Sequence, residues 1–406
     1  MKYKQPVKIV LLISAIAVII RVISVLIFAE LNNPEMWEFG QIARSLLDGK
    51  GFVFMANTIP VPSAFMPPGL PYLYYFFFII FGDNHVSYFL ILLLNSILSG
   101  ISVLLVYKLS KEFYSSQVGI YSALYISLSP VFIYSSLTYN SLIIYHVLLL
   151  LLFITVINSF RYFEIVTAQR TLRRYKDVLL LGIVLGVFLY FRSEMLGFSA
   201  IISILFFLKR QMIRGLLVLL IPVLLILPWT IRNYYTFGTI VPVSTSMGYN
   251  FYTGHGDDHS TVAYLKSVSQ LKEDSTFEIN KSKISFEHAF EYITHHPKDD
   301  AAESIKKVFS LWVLDLYRDT AKNPVYIAVW LPTLLFFLIG LYKSMKIQPV
   351  RENIKILILY LLFSTALVVL FFNIPRYQIQ MSIVMVPTAM YGLQQLLLSA
   401  KNKTQS

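Results

Sequence analysis

Residues 214–230 read RGLLVLLIPVLLILPWT and carry one charged side chain, that of Arg214. The run approaches the length of about 20 apolar residues that a helix needs to cross the hydrocarbon layer of a bilayer. Trp229 stands near its end, and tryptophan is enriched where spans meet the membrane surface. The stretch therefore predicts a transmembrane helix.

The composition of the whole chain agrees with this prediction. Its 406 residues are 56% hydrophobic and 14% charged, whereas soluble domains carry about 25% charged residues. A water-soluble enzyme and a disordered chain are both excluded, and the lipid bilayer is the expected surrounding. The net charge is +12, but the basic residues lie in short clusters between apolar runs, which is typical of membrane topology and not of a nucleic-acid-binding face.

Similar apolar runs recur along the chain and predict an all-α polytopic membrane protein with about ten transmembrane helices. The predicted spans are residues 10–29, 86–107, 117–135, 140–159, 177–191, 195–208, 214–230, 325–342, 355–372 and 379–398. The first run is too long for a signal peptide and lacks a small-residue cleavage site, so we interpret it as a retained helix. We divide the chain into an N-terminal transmembrane module (1–230), a large outer loop (231–324) and a C-terminal transmembrane part with a short tail (325–406).

The positive-inside rule orients these spans. It predicts that both termini and the basic loop 161–176 are cytoplasmic in a multi-pass protein of the inner (plasma) membrane. The run 70–81 is too short to span and is expected to be interfacial or re-entrant. The pair 177–191 and 195–208 predicts a helical hairpin broken at residues 192–194, because a charged pair at the centre of a single span is costly.

Two large loops then face the outer side, at residues 30–69 and 231–324. The second holds 12 of the 22 acidic residues, which indicates a water-facing region with a role of its own. Its segments 276–294 and 299–319 are predicted to be helices, and the latter suits a helix on the membrane surface.

The first outer loop contains two carboxylates just beyond the first span, Glu35 and Glu38. The pattern from Glu35 to Leu47 is helical. A carboxylate on a short helix at the membrane face is partly desolvated, which raises its basicity and suits it to accept a proton from a hydroxyl. The alternative is an acidic first turn that complements the helix dipole.

The same loop ends in AFMPPGLPYLYYF, residues 64–76. Pro67 and Pro68 stiffen the backbone and Gly69 lets it turn. By itself this motif indicates a structural role, the shaping of the chain as it re-enters the membrane.

Three arginines stand at the outer ends of separate predicted spans: Arg192, Arg232 and Arg376. An arginine at this depth needs an anionic partner, and its planar fork can hold two phosphate oxygens. The three could therefore converge on one phosphate. The alternative for Arg232 is a side chain that reaches the lipid headgroups.

The stretch GHGDDHS, residues 254–260, offers His255, Asp257, Asp258 and His259 to a divalent cation. Its spacing matches no zinc or calcium template, so a solvated loop is favoured and no metal is firmly expected. The chain also has no nucleotide-binding phosphate loop and no nucleophile elbow.

Four stretches together resemble the GT-C membrane glycosyltransferases, in the bacterial branch similar to dolichyl-phosphate-mannose protein mannosyltransferases and the lipid A aminoarabinose transferase. They are NPEMWEFGQIARSLLDGKGF (33–52), MPPGLPYLYYFFFIIFG (66–82), PWTIRNYYTFGTIVPVSTSMGYNFYTG (228–254) and IPRYQIQ (374–380). The resemblance covers roughly residues 10–395. It implies a GT-C fold and transfer of a sugar from a polyprenyl-phosphate-linked donor to a lipid, glycan or protein acceptor at the outer face.

The resemblance also implies site residues. Glu35 stands at the position of the catalytic Asp of these enzymes, and Asn140 stands where relatives commonly have Glu. The residues expected to bind substrate are Glu38, Pro67, Pro68, Arg192, Glu194, Arg232, Asn233, Tyr249, Arg376 and Tyr377.

Two other functions remain open. A non-catalytic protein of the same fold that binds or flips a lipid-linked sugar is suggested by the departures at Glu35 and Asn140. A secondary transporter is disfavoured, because we see no inverted repeat and expect no charged side chain near the middle of a long span.

Overall fold

The computed structural model describes residues 5–165, 171–256, 260–315 and 318–405, and these residues are mostly helical. The helices are α1 (Gln5–Phe28), α2 (Trp37–Leu47), α3 (Gly69–Phe81), α4 (His85–Phe113), α5 (Ser116–Leu128), α6 (Pro130–Tyr134), α7 (Leu142–Ile165), α8 (Thr171–Leu189), α9 (Met195–Leu208), α10 (Met212–Phe237), α11 (Met247–His255), α12 (Ser260–Ser269), α13 (Phe277–His295), α14 (Pro297–Trp312), α15 (Pro324–Ser344), α16 (Gln348–Leu370) and α17 (Pro375–Gln405). Short 3₁₀ turns lie at Ser135–Leu137 and Asp319–Lys322. Two strands complete the described secondary structure, β1 (Val53–Met55) and β2 (Pro60–Pro62).

The predicted polytopic all-α membrane protein is confirmed. Within the described residues, seven helices are long and apolar enough to cross a membrane, namely α1, α4, α7, α10, α15, α16 and α17. The bent pair formed by α5 and the segment Pro130–Leu137 makes an eighth. Helices α8 and α9 are not among these candidate spans; they form a shorter hairpin that packs along α10, so the predicted number of ten spans stays a prediction.

The predicted span 117–135 is not one straight helix. It is broken at Ser129, and the two halves meet at 59°. Pro130 causes the break, because it has no N–H to donate and it starts the second half at the helix position that proline favours. The last carbonyls of α5 are therefore left without helical partners.

Arg21 of α1 supplies those partners, and its position corrects a sequence expectation. The side chain is fully buried near the middle of a long span, where we expected no charge. Its Nη2 donates to the carbonyl of Ile126 at 2.8 Å, and its Nη1 donates to Ser127 at 3.1 Å. A cation is favoured at the negative end of a helix, so Arg21 stabilises the break in α5.

The predicted hairpin of α8 and α9 is present, and its break falls at residues 190–194 as expected. Two serines fasten α9 to α10. The hydroxyl of Ser199 donates to the carbonyl of Val218, and that of Ser203 donates to Gly215, each at 2.8 Å. Interhelical hydrogen bonds of this kind hold helices together where both are surrounded by apolar lipid.

The first outer loop contains an element that the sequence did not predict. Strands β1 and β2 form an antiparallel ribbon in which Val53 faces Pro62. Three-residue strands are too short to show an alternating pattern. Val61 of this ribbon is buried against Tyr252 and Phe277 in a small second core, so the first loop packs directly on the large outer loop.

The two predicted helices of the large outer loop are present. The first is α13, within a residue of the predicted bounds, and the second is α14, which ends at Trp312, seven residues earlier than predicted. The segment 70–81 forms α3, a helix of 13 residues.

Candidate functional site

Arg192 and Arg376 lie within electrostatic range of each other, in the loop after α8 and at the start of α17. The two guanidinium groups carry like charges and repel each other electrostatically. The Nε atoms of both are buried without a hydrogen-bond partner. Glu194 approaches Arg192 at 3.8 Å from Nη1 to Oε1. Two partly buried cations with spare donors form a site that an anion would complete.

The Arg192 side chain is held by aromatic residues of two spans. Its guanidinium lies over the ring of Tyr145, 5.2 Å from the ring centre. The Tyr145 and Tyr360 hydroxyls are 2.7 Å apart and hydrogen-bonded. A planar guanidinium stacks well on an aromatic face, so α7 and α16 fix the direction in which Arg192 presents its donors.

The residues just before Arg376 are hydrogen-bonded to α14. The buried Lys307 Nζ donates to the carbonyls of Val369 and Phe371 at 2.9 and 3.0 Å. These carbonyls end α16, where a cation is favourable.

A second contact with α14 follows Arg376. The Gln378 side chain donates from Nε2 to the carbonyls of Ser310 and Leu311, at 3.0 and 2.8 Å. Between the two anchors lies Asn373, which is 8% exposed and has neither Nδ2 nor Oδ1 hydrogen-bonded. Lys307, Gln378 and Asn373 gave no sequence signal, because their roles depend on contacts between distant segments.

Glu38, one of the residues expected to bind substrate, is near this pair, because its carboxylate interacts electrostatically with Arg376. Tyr377 also contributes, with its ring near Phe372 and its hydroxyl group within electrostatic range of both arginines. Glu35 is exposed and precedes α2, so the protein does not bury its carboxylate and the expected partial desolvation on a short helix is wrong for this residue. Trp37 lies between the two carboxylates with φ of 51°, a strained conformation for a bulky residue that costs about 1–3 kcal/mol and is typical of functional loops.

The prolines of the first loop lie against the same cluster. Gly69, directly after Pro67 and Pro68, donates its N–H to the carbonyl of Tyr190 at 2.6 Å. A side chain at Gly69 would stand 2.6 Å from that oxygen. The turn after Pro68 therefore packs two residues from Arg192, which gives this motif a positioning role.

Arg232 is engaged elsewhere. Its Nη1 donates to the carbonyl of Ser63 at 2.6 Å and its Nη2 to Phe52 at 3.1 Å, and the guanidinium lies over the Trp229 ring. The buried Asn233 accepts from Arg232 and donates to Val241 at 2.9 Å. Arg376 is thus within electrostatic range of Arg192. Arg232 instead joins the first loop to α10 through hydrogen bonds.

Glu278 of α13 clamps the same loop from the opposite side, and sequence reasoning missed it. Its Oε2 accepts from the N–H of Ala64 at 2.9 Å and from the Thr245 hydroxyl at 2.6 Å. Burial raises the pKa of Glu278, against the effect of these donors and of the Ser63 hydroxyl. The residues before the Pro67–Pro68 turn are therefore held by Arg232 and Glu278 together.

Tyr249 and Asn140 lie apart from the arginine pair. Tyr249 packs on Phe65 and receives the ammonium of Lys281 over its ring at 5.1 Å. The Asn140 side chain accepts from the N–H of Leu142 at 2.8 Å and donates to Thr138 at 3.0 Å. Asn140 thus caps α7, and this position carries no carboxylate.

The metal hypothesis rests on residues that the structure describes only in part. His255 has both ring nitrogens engaged, Nδ1 with Asp300 at 2.6 Å and Nε2 with the carbonyl of Leu370 at 3.0 Å. Asp257 and Asp258 lie outside the described residues. Among the described residues no group of three His, Asp or Glu side chains is arranged to hold a metal ion.

Comparison with known proteins gives one family and several solved structures. The family described as dolichyl-phosphate-mannose-protein mannosyltransferase matches residues 66–232, from the Pro67–Pro68 turn to Arg232. No curated protein matches the chain.

The archaeal oligosaccharyltransferase AglB from Archaeoglobus fulgidus, in complex with an inhibitory peptide and a dolichol-phosphate, matches with a TM-score of 0.63 and 13% identity over 100% of this chain and 52% of its own. The same enzyme tethered to an acceptor peptide matches with a TM-score of 0.63 and 11% identity over 98% and 50%. The chain thus spans about half the length of these proteins. ArnT from Cupriavidus metallidurans bound to undecaprenyl phosphate matches at 10% identity over 95% and 78%, with a TM-score of 0.42. These matches confirm that the chain shares its fold with the archaeal oligosaccharyltransferase, and the family match over residues 66–232 agrees with the predicted resemblance to membrane glycosyltransferases.

Proposed function

On this GT-C fold, we propose that the chain transfers a sugar from a polyprenyl-phosphate carrier to a lipid, glycan or protein acceptor at the outer face of the inner membrane. The observation that carries the proposal is the pair Arg192 and Arg376, two cations with unused buried donors. The carboxylate of Glu38 interacts with Arg376, and Glu35 stands three residues before it in the chain. An anion site beside a base is what this reaction requires.

The reaction is a single inverting displacement. The Glu35 carboxylate takes the proton of the acceptor hydroxyl as the oxygen attacks the anomeric carbon. The bond from that carbon to the phosphate oxygen breaks at the same time, and the electron pair leaves with the phosphate. The products are the glycosylated acceptor and the free polyprenyl phosphate.

The arginines stabilise the charge that develops on the leaving phosphate. Donors fixed before the reaction are effective because they need no rearrangement in the transition state. Stacking on Tyr145 holds Arg192, and the Lys307 and Gln378 anchors hold the segment of Arg376. The phosphate leaves already ionised, so no general acid is needed.

Two further arguments support the donor and the side of the membrane. The archaeal oligosaccharyltransferase that shares the fold was solved with a dolichol-phosphate, a lipid phosphate of the proposed class. The positive-inside rule assigns both termini to the cytoplasm and the loops with Glu35 and Arg192 to the outer side.

The test is sugar transfer by the purified protein in lipid nanodiscs, with radiolabelled sugars on undecaprenyl phosphate and a mixture of envelope lipids, glycans and proteins as acceptors. We expect labelled acceptor together with released undecaprenyl phosphate. Release without a labelled product would indicate hydrolysis. Tight undecaprenyl-phosphate binding with no turnover of any donor would overturn the enzymatic assignment.

That last outcome would favour a protein that binds or flips the lipid-linked sugar. One observation supports this second candidate. Asn140 occupies the place of a second carboxylate and caps a helix, which leaves Glu35 as the acidic residue aligned with catalysis. Movement of a fluorescent polyprenyl-phosphate sugar between the leaflets of protein-containing vesicles would then distinguish flipping from simple binding.

A further inference from the structure

An open cleft of about 730 Å³ lies between the loop after α10 and helix α13. Its apolar walls include Ile240, Met247, Phe286 and Phe290, of which Ile240, Met247 and Phe290 are exposed. Hydroxyl groups of Ser244 and Ser282 and the exposed ion pair of Lys283 with Glu287 also line it. Apolar walls beside a few polar groups are typical of ligand sites.

The contacts of the loop place this cleft at the membrane surface. Helix α10 has 26 residues, so it is roughly 39 Å long at about 1.5 Å per residue. It therefore projects beyond a hydrocarbon layer of about 30 Å. The loop folds back along its last two turns, since Trp229 donates to the carbonyl of Val243 at 2.7 Å and Asn233 donates to Val241 at 2.9 Å. The cleft wall thus lies level with Trp229, in the interfacial zone that tryptophan favours.

The cleft also leads to the arginine pair. The hydroxyl of Ser244, which lines the cleft, is 3.5 Å from that of Ser193. Ser193 stands between Arg192 and Glu194. A molecule in the cleft therefore lies one residue from the proposed phosphate site. Thr245 of the cleft wall also donates a hydrogen bond to Glu278, which holds the first outer loop.

We infer that this cleft binds the acceptor and that the acceptor is a glycosylated lipid of the outer leaflet. A hydrocarbon chain entering from the bilayer would lie against Ile240, Met247 and Phe290. A hydroxylated headgroup would meet the serines at the end nearer the arginines, and its sugar faces would pack on Phe286. The phosphate of the carrier is already assigned to the arginine pair, so the cleft beside it is left for the second substrate, the acceptor. The inference rests on the proposed function and names its acceptor class.

Photo-labelling tests the inference without turnover. The full chain in phosphatidylcholine nanodiscs would be exposed to a monoglucosyl diacylglycerol with a diazirine at the end of one acyl chain, and labelled peptides mapped by mass spectrometry. We expect labels on residues 240–247 and 279–290 in excess over those from a diazirine phosphatidylcholine. Met247→Trp, which fills the cleft from an exposed position, should lower that labelling by about tenfold.

Leu265→Trp is the matched control, because Leu265 on α12 is 57% exposed and Met247 is 56% exposed. It should leave the labelling unchanged. Equal labelling by the glucolipid and phosphatidylcholine would overturn the inference. Two other results would also overturn it. One is labelling of the cleft by a diazirine undecaprenyl phosphate that is lost in Met247→Trp. The other is a second copy of the chain crosslinked at the cleft. Binding of unmodified undecaprenyl phosphate is measured in parallel and tests the proposed function. Failure of the acceptor inference can therefore be distinguished from failure of the proposed function.

Discussion

The Nη1 atom of Arg232 lies 2.6 Å from the carbonyl oxygen of Ser63, so this guanidinium already binds the backbone of the first outer loop. Its other donor contacts the carbonyl of Phe52. Arg232, from the stretch 228–254 that carries part of the resemblance, therefore joins the end of α10 to the loop that carries Glu35 and Glu38. In the proposed anion site the donors come from Arg192 and Arg376 instead.

Replacement of Arg232 should lower stability first. Arg232→Ala leaves two backbone carbonyls without their donor, and hydrogen bonds to a charged group contribute about 1.5–3 kcal/mol each. We expect a clear fall in the thermal unfolding midpoint in nanodiscs and only partial recovery in Arg232→Lys, which lacks the fork. Undecaprenyl-phosphate affinity should fall less than in Arg376→Ala. A stable Arg232→Ala protein that has lost donor binding would show direct phosphate contact.

Replacement of Arg376 or Arg192 should act on donor binding. Each provides a buried charged donor without a partner, and loss of one charge-assisted bond of about 1.5–3 kcal/mol corresponds to roughly 10- to 150-fold in affinity. Titration of Arg376→Ala and Arg192→Ala with undecaprenyl phosphate measures this. Arg351→Ala, near the start of α16, serves as the control of equal charge change. Unchanged affinity in both variants would remove the phosphate site.

The two carboxylates of the first loop should separate kinetically. Glu35→Gln should lower kcat by about 10²- to 10⁴-fold, the usual contribution of a positioned base, with donor binding kept. Glu35→Asp should retain part of the activity. Glu38→Gln should chiefly change the affinity for the donor, because Glu38 interacts with Arg376. If Glu38→Gln instead lost turnover and Glu35→Gln kept it, Glu38 would be the base.

Glu278 should make stability depend on pH. Its pKa is raised by burial above the ordinary value of 4.5, so the folded protein binds more protons than the unfolded chain between 4.5 and the raised value. Stability therefore falls as pH rises through that interval. Glu278→Gln keeps an acceptor oxygen and does not titrate, so it should gain stability relative to the wild type between pH 4.5 and 7. If the free energy of unfolding changed with pH in the same way in both proteins, Glu278 would not be the source of the pH dependence.

Gly254 should tolerate no side chain. A Cβ atom there would stand 1.7 Å from the carbonyl oxygen of Phe371, which also accepts from Lys307. Gly254→Ala should therefore separate α11 from the end of α16, displace the segment before Arg376 and lower both thermal stability and donor affinity. Gly197→Ala, whose added Cβ would meet its nearest neighbour at 3.5 Å, should behave like the wild type. Normal unfolding and binding in Gly254→Ala would show that this contact is dispensable.

The sequence alone predicted the membrane class, most spans, the hairpin broken at residues 192–194 and the resemblance that points to lipid-linked sugars. These features are encoded locally. A run of apolar residues long enough to cross a bilayer must become a helix, because lipid offers no partner to an open backbone. The same local rule made Arg192 and Arg376 visible as charges at the ends of apolar runs.

Which arginines meet was decided by the tertiary structure. Arg192 and Arg376 are separated by 184 positions in the chain, yet the fold brings the loop after α8 and the start of α17 within electrostatic range of each other, whereas Arg232 faces a loop whose carbonyls satisfy it. Arg21 carries no local sign that it would cap a broken helix more than 100 residues away. The sequence gives the charge of a side chain directly. Its partner depends on the packing of segments that are far apart along the chain, and local sequence patterns do not indicate which segments pack together.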